Sequence, residues 1–287
     1  MRNASLTAAV EKFARLILPL TETDLERTWV WKDHDEEGIR FACFVTLQEL
    51  RHLAVSLAPP STTLRTHPTP AQHILSQYHA AYMDLQAAVL GLNDEEAEKI
   101  PSAGEWPVRK VYAHMLGAEI NFTIAIRYAL EKHRAGIWTP EKISDEDDNS
   151  LSGMSEDEYH ALMNSPLSQM LAYHHTLHAT LLDEFSQITN AELDLPSTFW
   201  EETRFPIQHR LHRYEAHLVQ HTIQIDKTLI AIGKAPTEAQ RLIRKIYAAL
   251  AEVEGVLIGA EKIDDAVILA TASSIQERTK EIEKLLK

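Results

Sequence analysis

Apolar residues recur at spacings of three and four along almost the whole chain, which is the period of an amphipathic helix. The pattern predicts a first helix over Leu6 to Leu18 and a second from about Glu36 to Leu57, where Ile39, Phe44, Leu47, Leu50 and Leu53 share a face. The stretch from Ala58 to Pro70, rich in Pro, Ser and Thr, reads as a linker. Four long helices follow. One carries Ile74, Leu75, Tyr78, Tyr82, Leu85 and Val89 and ends near Gly91; the next starts at Pro107 and runs to about Arg134. A third starts near Pro166, with Met170, Leu171, Leu181, Leu182 and Phe185, and a fourth runs from Pro206 to Gly233, with Pro236 just beyond as a stop. The acidic run from Asp145 to Asp148 reads as a solvated loop, as does the stretch from Asn190 to Phe205, which contains Trp200. Two further helices are expected, Thr237 to about Ile258 and Ile263 to Leu286. No alternating stretch is long enough to read as a strand.

Four consecutive amphipathic helices imply an all-α four-helix bundle, with metal or ligand sites in its interior on facing helices. The expected organisation is a helical extension over 1–65, the bundle over 66–235 and a second helical extension over 236–287. The flanking helices are expected to pack together as a smaller layer.

Composition narrows the function. The 42 acidic and 28 basic side chains give a formal charge of −14, unsuited to a phosphate backbone, so no nucleic-acid partner is expected. The apolar run Phe13 to Leu20 is broken by Arg15 and Pro19, unlike a signal peptide, and no segment approaches the length of a membrane span. Cys43 is the single cysteine, which excludes an internal disulfide and a Cys-rich zinc site. The reading is a reduced, cytoplasmic protein with a small-molecule substrate and no membrane partner.

Two His-x-x-x-His pairs stand out, His174/His178 and His217/His221, each able to present two imidazoles on one helix face. Fifteen histidines in 287 residues produce roughly one such pair by chance, so spacing alone decides nothing. His217 and His221 lie in line with Leu211, Tyr214, Ile225 and Leu229 and point inward. His174 and His178 share a stripe with Met170, Leu171, Leu181 and Phe185; as pocket groups, a fourth ligand or core histidines, the last is favoured. His209 and His212 fall on the polar side of their helix. His114 sits among Val111, Met115 and Ala118, an apolar neighbourhood for an isolated histidine. Trp29 and Trp31, with the stretch Gly38 to Phe44, read as core packing.

Trp106 eight residues before His114, Glu119 five after it, and the later block His217-x-x-x-His221-x-x-Gln224-Ile225 together resemble the DinB/YfiT-like family of metal-dependent enzymes. The resemblance covers about residues 66 to 235 and implies an up-down-down-up four-helix bundle, here with additional N- and C-terminal helices. It implies one divalent metal held by His114, His217 and His221. Glu119 is then either a residue supporting the site or an acid on the helix surface.

Three imidazoles with open coordination positions fit a catalytic ion, zinc or nickel before others. A zincin-type protease is excluded, because Leu218 stands where His-Glu-x-x-His needs its Glu. The family's resemblance implies a thiol S-transferase using a low-molecular-weight thiol. The alternatives are a hydrolase working through bound hydroxide and a non-catalytic metal-binding stress protein. A thiol transferase needs a cationic side chain near the metal; Arg109, Arg127, Arg204 and Arg213 are the candidates. The resemblance also implies a homodimer, unless the extra terminal helices cover the surface that such dimers use.

Overall fold

The computed structural model describes residues 4–31, 37–58, 68–140, 143–199, 201, 203–260 and 265–287. Its elements in chain order are α1 (Ala4–Ile17), α2 (Glu22–Leu25), α3 (Ile39–Leu57), α4 (Pro70–Ala88), α5 (Asp94–Ala97), α6 (Val108–Arg134), α7 (Asp145–Ser152), α8 (Glu156–Met163), α9 (Leu167–Phe185), α10 (Asn190–Leu193), β1 (Pro196–Ser197), β2 (Phe205–Pro206), α11 (Ile207–Ala231), α12 (Glu238–Val256) and α13 (Asp265–Leu285). The fold is all-α, as the periodicity requires. Glu36, most of the expected linker, Trp200 and the expected start of the last helix at Ile263 lie outside the described residues. Among the described residues no helix is long and apolar enough to cross a membrane.

Two compact units are present. The first draws on Met1–His67, Tyr82–Gly91 and Ala235–Lys287, the second on Pro68–Ala81 and Leu92–Lys234; α4 gives residues to both.

In the first unit α3 packs on α12 and α1 on α13, so helices from the two ends of the chain share one core. Val10, Phe13 and Ile17 meet that core from α1, Leu50 from α3, Ile246 and Leu250 from α12, and Ile275 and Ile282 from α13. A fully buried Arg278 is held by Glu49 at 2.9 Å and by the Thr46 hydroxyl at 2.8 Å, and it stacks over Trp31. A buried guanidinium persists only with such partners. Trp29 lies flat against Trp31, with ring centroids 5.5 Å apart, and Cys43 is buried on α3, where burial pushes its thiol up to about 12.

The second unit is the bundle. α6 packs on α11 and α9, and α4 joins through Tyr78, whose ring meets those of His178 and Tyr214. α6, α9 and α11 each begin immediately after a proline: Pro107, Pro166 and Pro206 are their N-caps, which for Pro107 is one position before the first helical turn that its sequence suggests. All three have φ between −56° and −68° and ψ near 155°, the extended geometry that leads a chain into a helix.

The acidic run is not a loop. It is α7, started by the Ser144 side chain accepting from the Asp147 backbone and ended by Gly153 in the left-handed region. α8 follows with a capping box, Ser155 and Glu158 each satisfying the other's backbone N–H. A short antiparallel pair, β1–β2, closes the 190–205 connection, with Pro196 opposite Pro206 and Ser197 opposite Phe205.

Candidate metal centre

His114 on α6 and His217 and His221 on α11 come together in the second unit. One ring nitrogen from each lies within 4.8 Å of the other two. Ring centroids are 5.2 Å apart for His114 and His217, 4.9 Å for His114 and His221, and 4.4 Å for His217 and His221. The spacing of four on α11 stacks its two imidazoles, and the α6–α11 packing brings the third across.

The tautomers follow from partners. Gln224 Oε1 sits 2.9 Å from His221 Nδ1; an amide oxygen only accepts, so Nδ1 carries the proton. The lone pair of His221 Nε2 is then free and faces His217 Nε2 at 3.1 Å. Two donors on a tetrahedral zinc, each about 2.0–2.1 Å from it, stand roughly 3.4 Å apart. The pair therefore has the spacing of two ligands, and the set is all nitrogen with no carboxylate. Burial, and after it the neighbouring imidazoles of His221 and His114 and the charge of Arg213, hold His217 down at about 3. His114 is lowered too, by burial first and His221 second. Imidazoles must be neutral to bind a metal, so these shifts favour ligation.

The surroundings are asymmetric. His217 and His221 are buried, while His114 is exposed and opens the cluster on one side. Phe122 backs the buried side, its ring 5.8 Å from His217 and 5.7 Å from Tyr214. On the open side Trp106 meets His114 edge-on at 5.6 Å, and Lys110 lies over the Trp106 ring at 4.7 Å. His114 lines a cavity of about 340 Å³ with Trp106, Lys110, Asn121, Tyr159 and Met163.

Of the four arginines considered from sequence, Arg127 is spent on Glu184 and the Leu151 carbonyl, Arg109 on Glu98 and the Met163 carbonyl, and Arg204 leans over Trp138. Arg213 is the one beside the cluster, one turn before His217 and over Phe122. Lys110, one turn before His114, is a second cation that the sequence reading passed over; its spacing from His114 was the available signal.

His174 and His178 do not join the cluster. Both are fully buried, with rings 6.5 Å apart and turned to different partners. His174 Nδ1 lies 2.6 Å from the Tyr112 hydroxyl, and Nε2 lies 2.6 Å from Glu119 Oε2, close but out of line for a well-directed hydrogen bond. A carboxylate only accepts, so the proton of a neutral His174 belongs on Nε2 and Tyr112 donates to Nδ1. His178 Nε2 faces His79 Nδ1 on α4 at 3.0 Å. Glu119 is fully buried, which removes the surface reading and makes it the partner of a core histidine. His212 faces solvent, but His209 is half-buried, stacked 4.2 Å from Phe205, and burial lowers its pKa.

A model of the DinB superfamily matches residues 77–225. That span includes all three clustered histidines, Gln224 and Trp106. No curated protein and no solved structure matches the chain significantly.

Proposed function

The chain belongs to the DinB superfamily, and from that premise we propose that His114, His217 and His221 hold one divalent metal ion, zinc or nickel, in an enzyme that joins a small thiol to an electrophilic small molecule. The observation that carries the reading is the convergence of three imidazoles, two buried and one open to a cavity edged by a cation. A closed structural site would bury its whole ligand set, whereas this one leaves an approach for a further ligand.

When bound, the metal supplies a Lewis acid that favours the thiolate over the thiol. The chain supplies the rest. Gln224 keeps His221 in the tautomer that offers Nε2, and Phe122 keeps water from the buried side of His217. Lys110 adds positive charge where an anionic thiol and its partner would enter, and Arg213 adds it on the Phe122 side of the cluster. The thiol's proton passes to solvent on the open side as the thiolate forms, and the sulfur–carbon bond then forms as the electrophile's leaving group departs to solvent, as chloride does from 1-chloro-2,4-dinitrobenzene. A hydrolytic reading would call for a general base near His114, and no Asp or Glu lines the His114 cavity among the described residues. The net charge of −14 favours small molecules over nucleic acid as partners.

The test is metal analysis of purified protein followed by a screen of small thiols against 1-chloro-2,4-dinitrobenzene. One metal per chain and metal-dependent thiol consumption are expected. A fully loaded protein that consumes no thiol with any electrophile would remove the transferase reading, and failure to take up any divalent metal would remove the metal reading as well.

A further inference from the structure

The open side of the cluster continues into a groove between α6 and α8. On α6, Lys110, His114, Gly117 and Asn121 follow one another at spacings of three and four, so they line one face. Opposite them stand Tyr159 and Met163 of α8. Gly117 is what lets α8 come so near. A Cβ there would lie 2.5 Å from the Tyr159 hydroxyl oxygen and 3.3 Å from the Met163 sulfur.

Tyr159 is half-buried, and burial, then the charge of Asp148, raises its pKa, so its hydroxyl stays protonated at neutral pH. That hydroxyl has no hydrogen-bond partner among the described residues. The ring also lines a second cavity, of about 390 Å³, on the side toward α7, and Asn121 is shared by both. At 340 Å³ the first cavity falls in the range that holds small ligands. Its walls are mostly apolar, with Trp106, Met163 and two alanines, and its polar groups are few: Lys110 at one end, His114 in the middle, and Asn121 with Tyr159 beyond.

We infer that this groove is the binding site for the organic substrate, and that Tyr159 is the residue that fixes it. The ligand class is a compact aromatic or branched apolar carboxylate. Its anionic group lies toward Lys110, its body lies against Met163 and the Gly117 face, and an acceptor takes the Tyr159 hydroxyl proton as a hydrogen bond. The inference rests on the proposed metal reading for the identity of the reacting end, and on the cavity alone for the rest.

The probe is 2-mercapto-4-nitrobenzoate, which carries a carboxylate for Lys110, a thiol beside it for the cluster and, across the ring, nitro oxygens that accept from the Tyr159 hydroxyl. In cobalt-loaded protein, a sulfur-to-cobalt charge-transfer band reports binding at the cluster. In metal-free protein, calorimetry reports binding to the groove alone. Tyr159→Phe and Lys110→Gln are each expected to weaken the probe about tenfold in both arms while cobalt uptake stays at one per chain. Gly117→Val, which fills the groove, should abolish binding. Because a branched side chain at the buried Gly117 also strains the fold, Tyr159→Phe, which removes one oxygen, and Lys110→Gln, at an exposed position, carry the decision. Probe affinities within twofold of wild type in both of these variants would overturn the groove. A wild type that takes up no cobalt sinks the metal reading alone, because the metal-free arm still decides the groove by the same comparison.

Discussion

The bundle contains two His-x-x-x-His pairs with the same spacing on two helices that both pack against α6, and they have opposite fates. On α11 the rings of His217 and His221 stand 4.4 Å apart and turn their Nε2 atoms toward each other; on α9 those of His174 and His178 stand 6.5 Å apart at right angles. The partners explain the difference. His174 has a phenol on one nitrogen and a carboxylate beside the other, and His178 has a third histidine. Three of their four ring nitrogens, both of His174 and Nε2 of His178, face groups of the protein. Among the described residues the α11 pair has one outer hydrogen-bond partner, Gln224, and it engages the nitrogen that faces away. A histidine pair becomes ligand-ready when acids and phenols are kept off the nitrogens that face each other.

Exchanging the partners, or removing them, should pull the two pairs apart in predictable ways. The largest effect is expected from His217→Ala. Loss of a ligand should cost divalent-metal affinity more than the roughly 10–100-fold typical of an outer partner, with metal-free stability barely changed; equilibrium dialysis with elemental analysis measures it, and retained stoichiometric metal would contradict the assignment. His174→Ala should do the reverse. It leaves a cavity and the Glu119 carboxylate buried without its imidazole, at a cost of about 2–5 kcal/mol in urea unfolding, while the metal content stays at that of wild type. An unchanged urea midpoint would show that the α9 pair is not a structural element. Gln224→Ala comes next: a drop in metal affinity of roughly 10–100-fold without loss of fold, read by competition with a chelating dye. The smallest effect belongs to Tyr112→Phe, which leaves His174 Nδ1 without its donor. About 1–2 kcal/mol of stability should be lost and metal affinity should be unaffected.

Periodicity makes the long helices legible, because each has an apolar stripe to bury. α7 has none, so its sequence carries no period and reads as loop; the signal lies in its ends, Ser144 and Gly153. α8 is announced by Ser155 three residues before Glu158, a capping box that spacing alone reveals. The same device starts α2, α5, α10 and α12. Of the cluster, the histidines themselves are legible once Trp106, His114 and Gln224 are read together. Their separation from the α9 pair is not, because it depends on Tyr112, Glu119 and His79. The last of these lies 99 positions from the histidine it meets, and no local pattern links residues so far apart. Gly117 and Tyr159 are hidden for the same reason. A glycine within a helix reads as a weakness until the ring it admits is seen.

The prolines that open α6 and α11 act as the zero of a scale. Counting from Pro107, His114 is the seventh residue along, and from Pro206, His217 and His221 are the eleventh and fifteenth. Each residue of an α-helix advances the side chain by about 100°. One residue inserted between Pro206 and His217, with the proline still holding the helix start, would swing both α11 imidazoles by that angle, away from His114. Substitutions at many positions of these first turns leave that angle untouched, but a change in length does not. The centre is addressed by count, and it tolerates spelling errors better than missing letters.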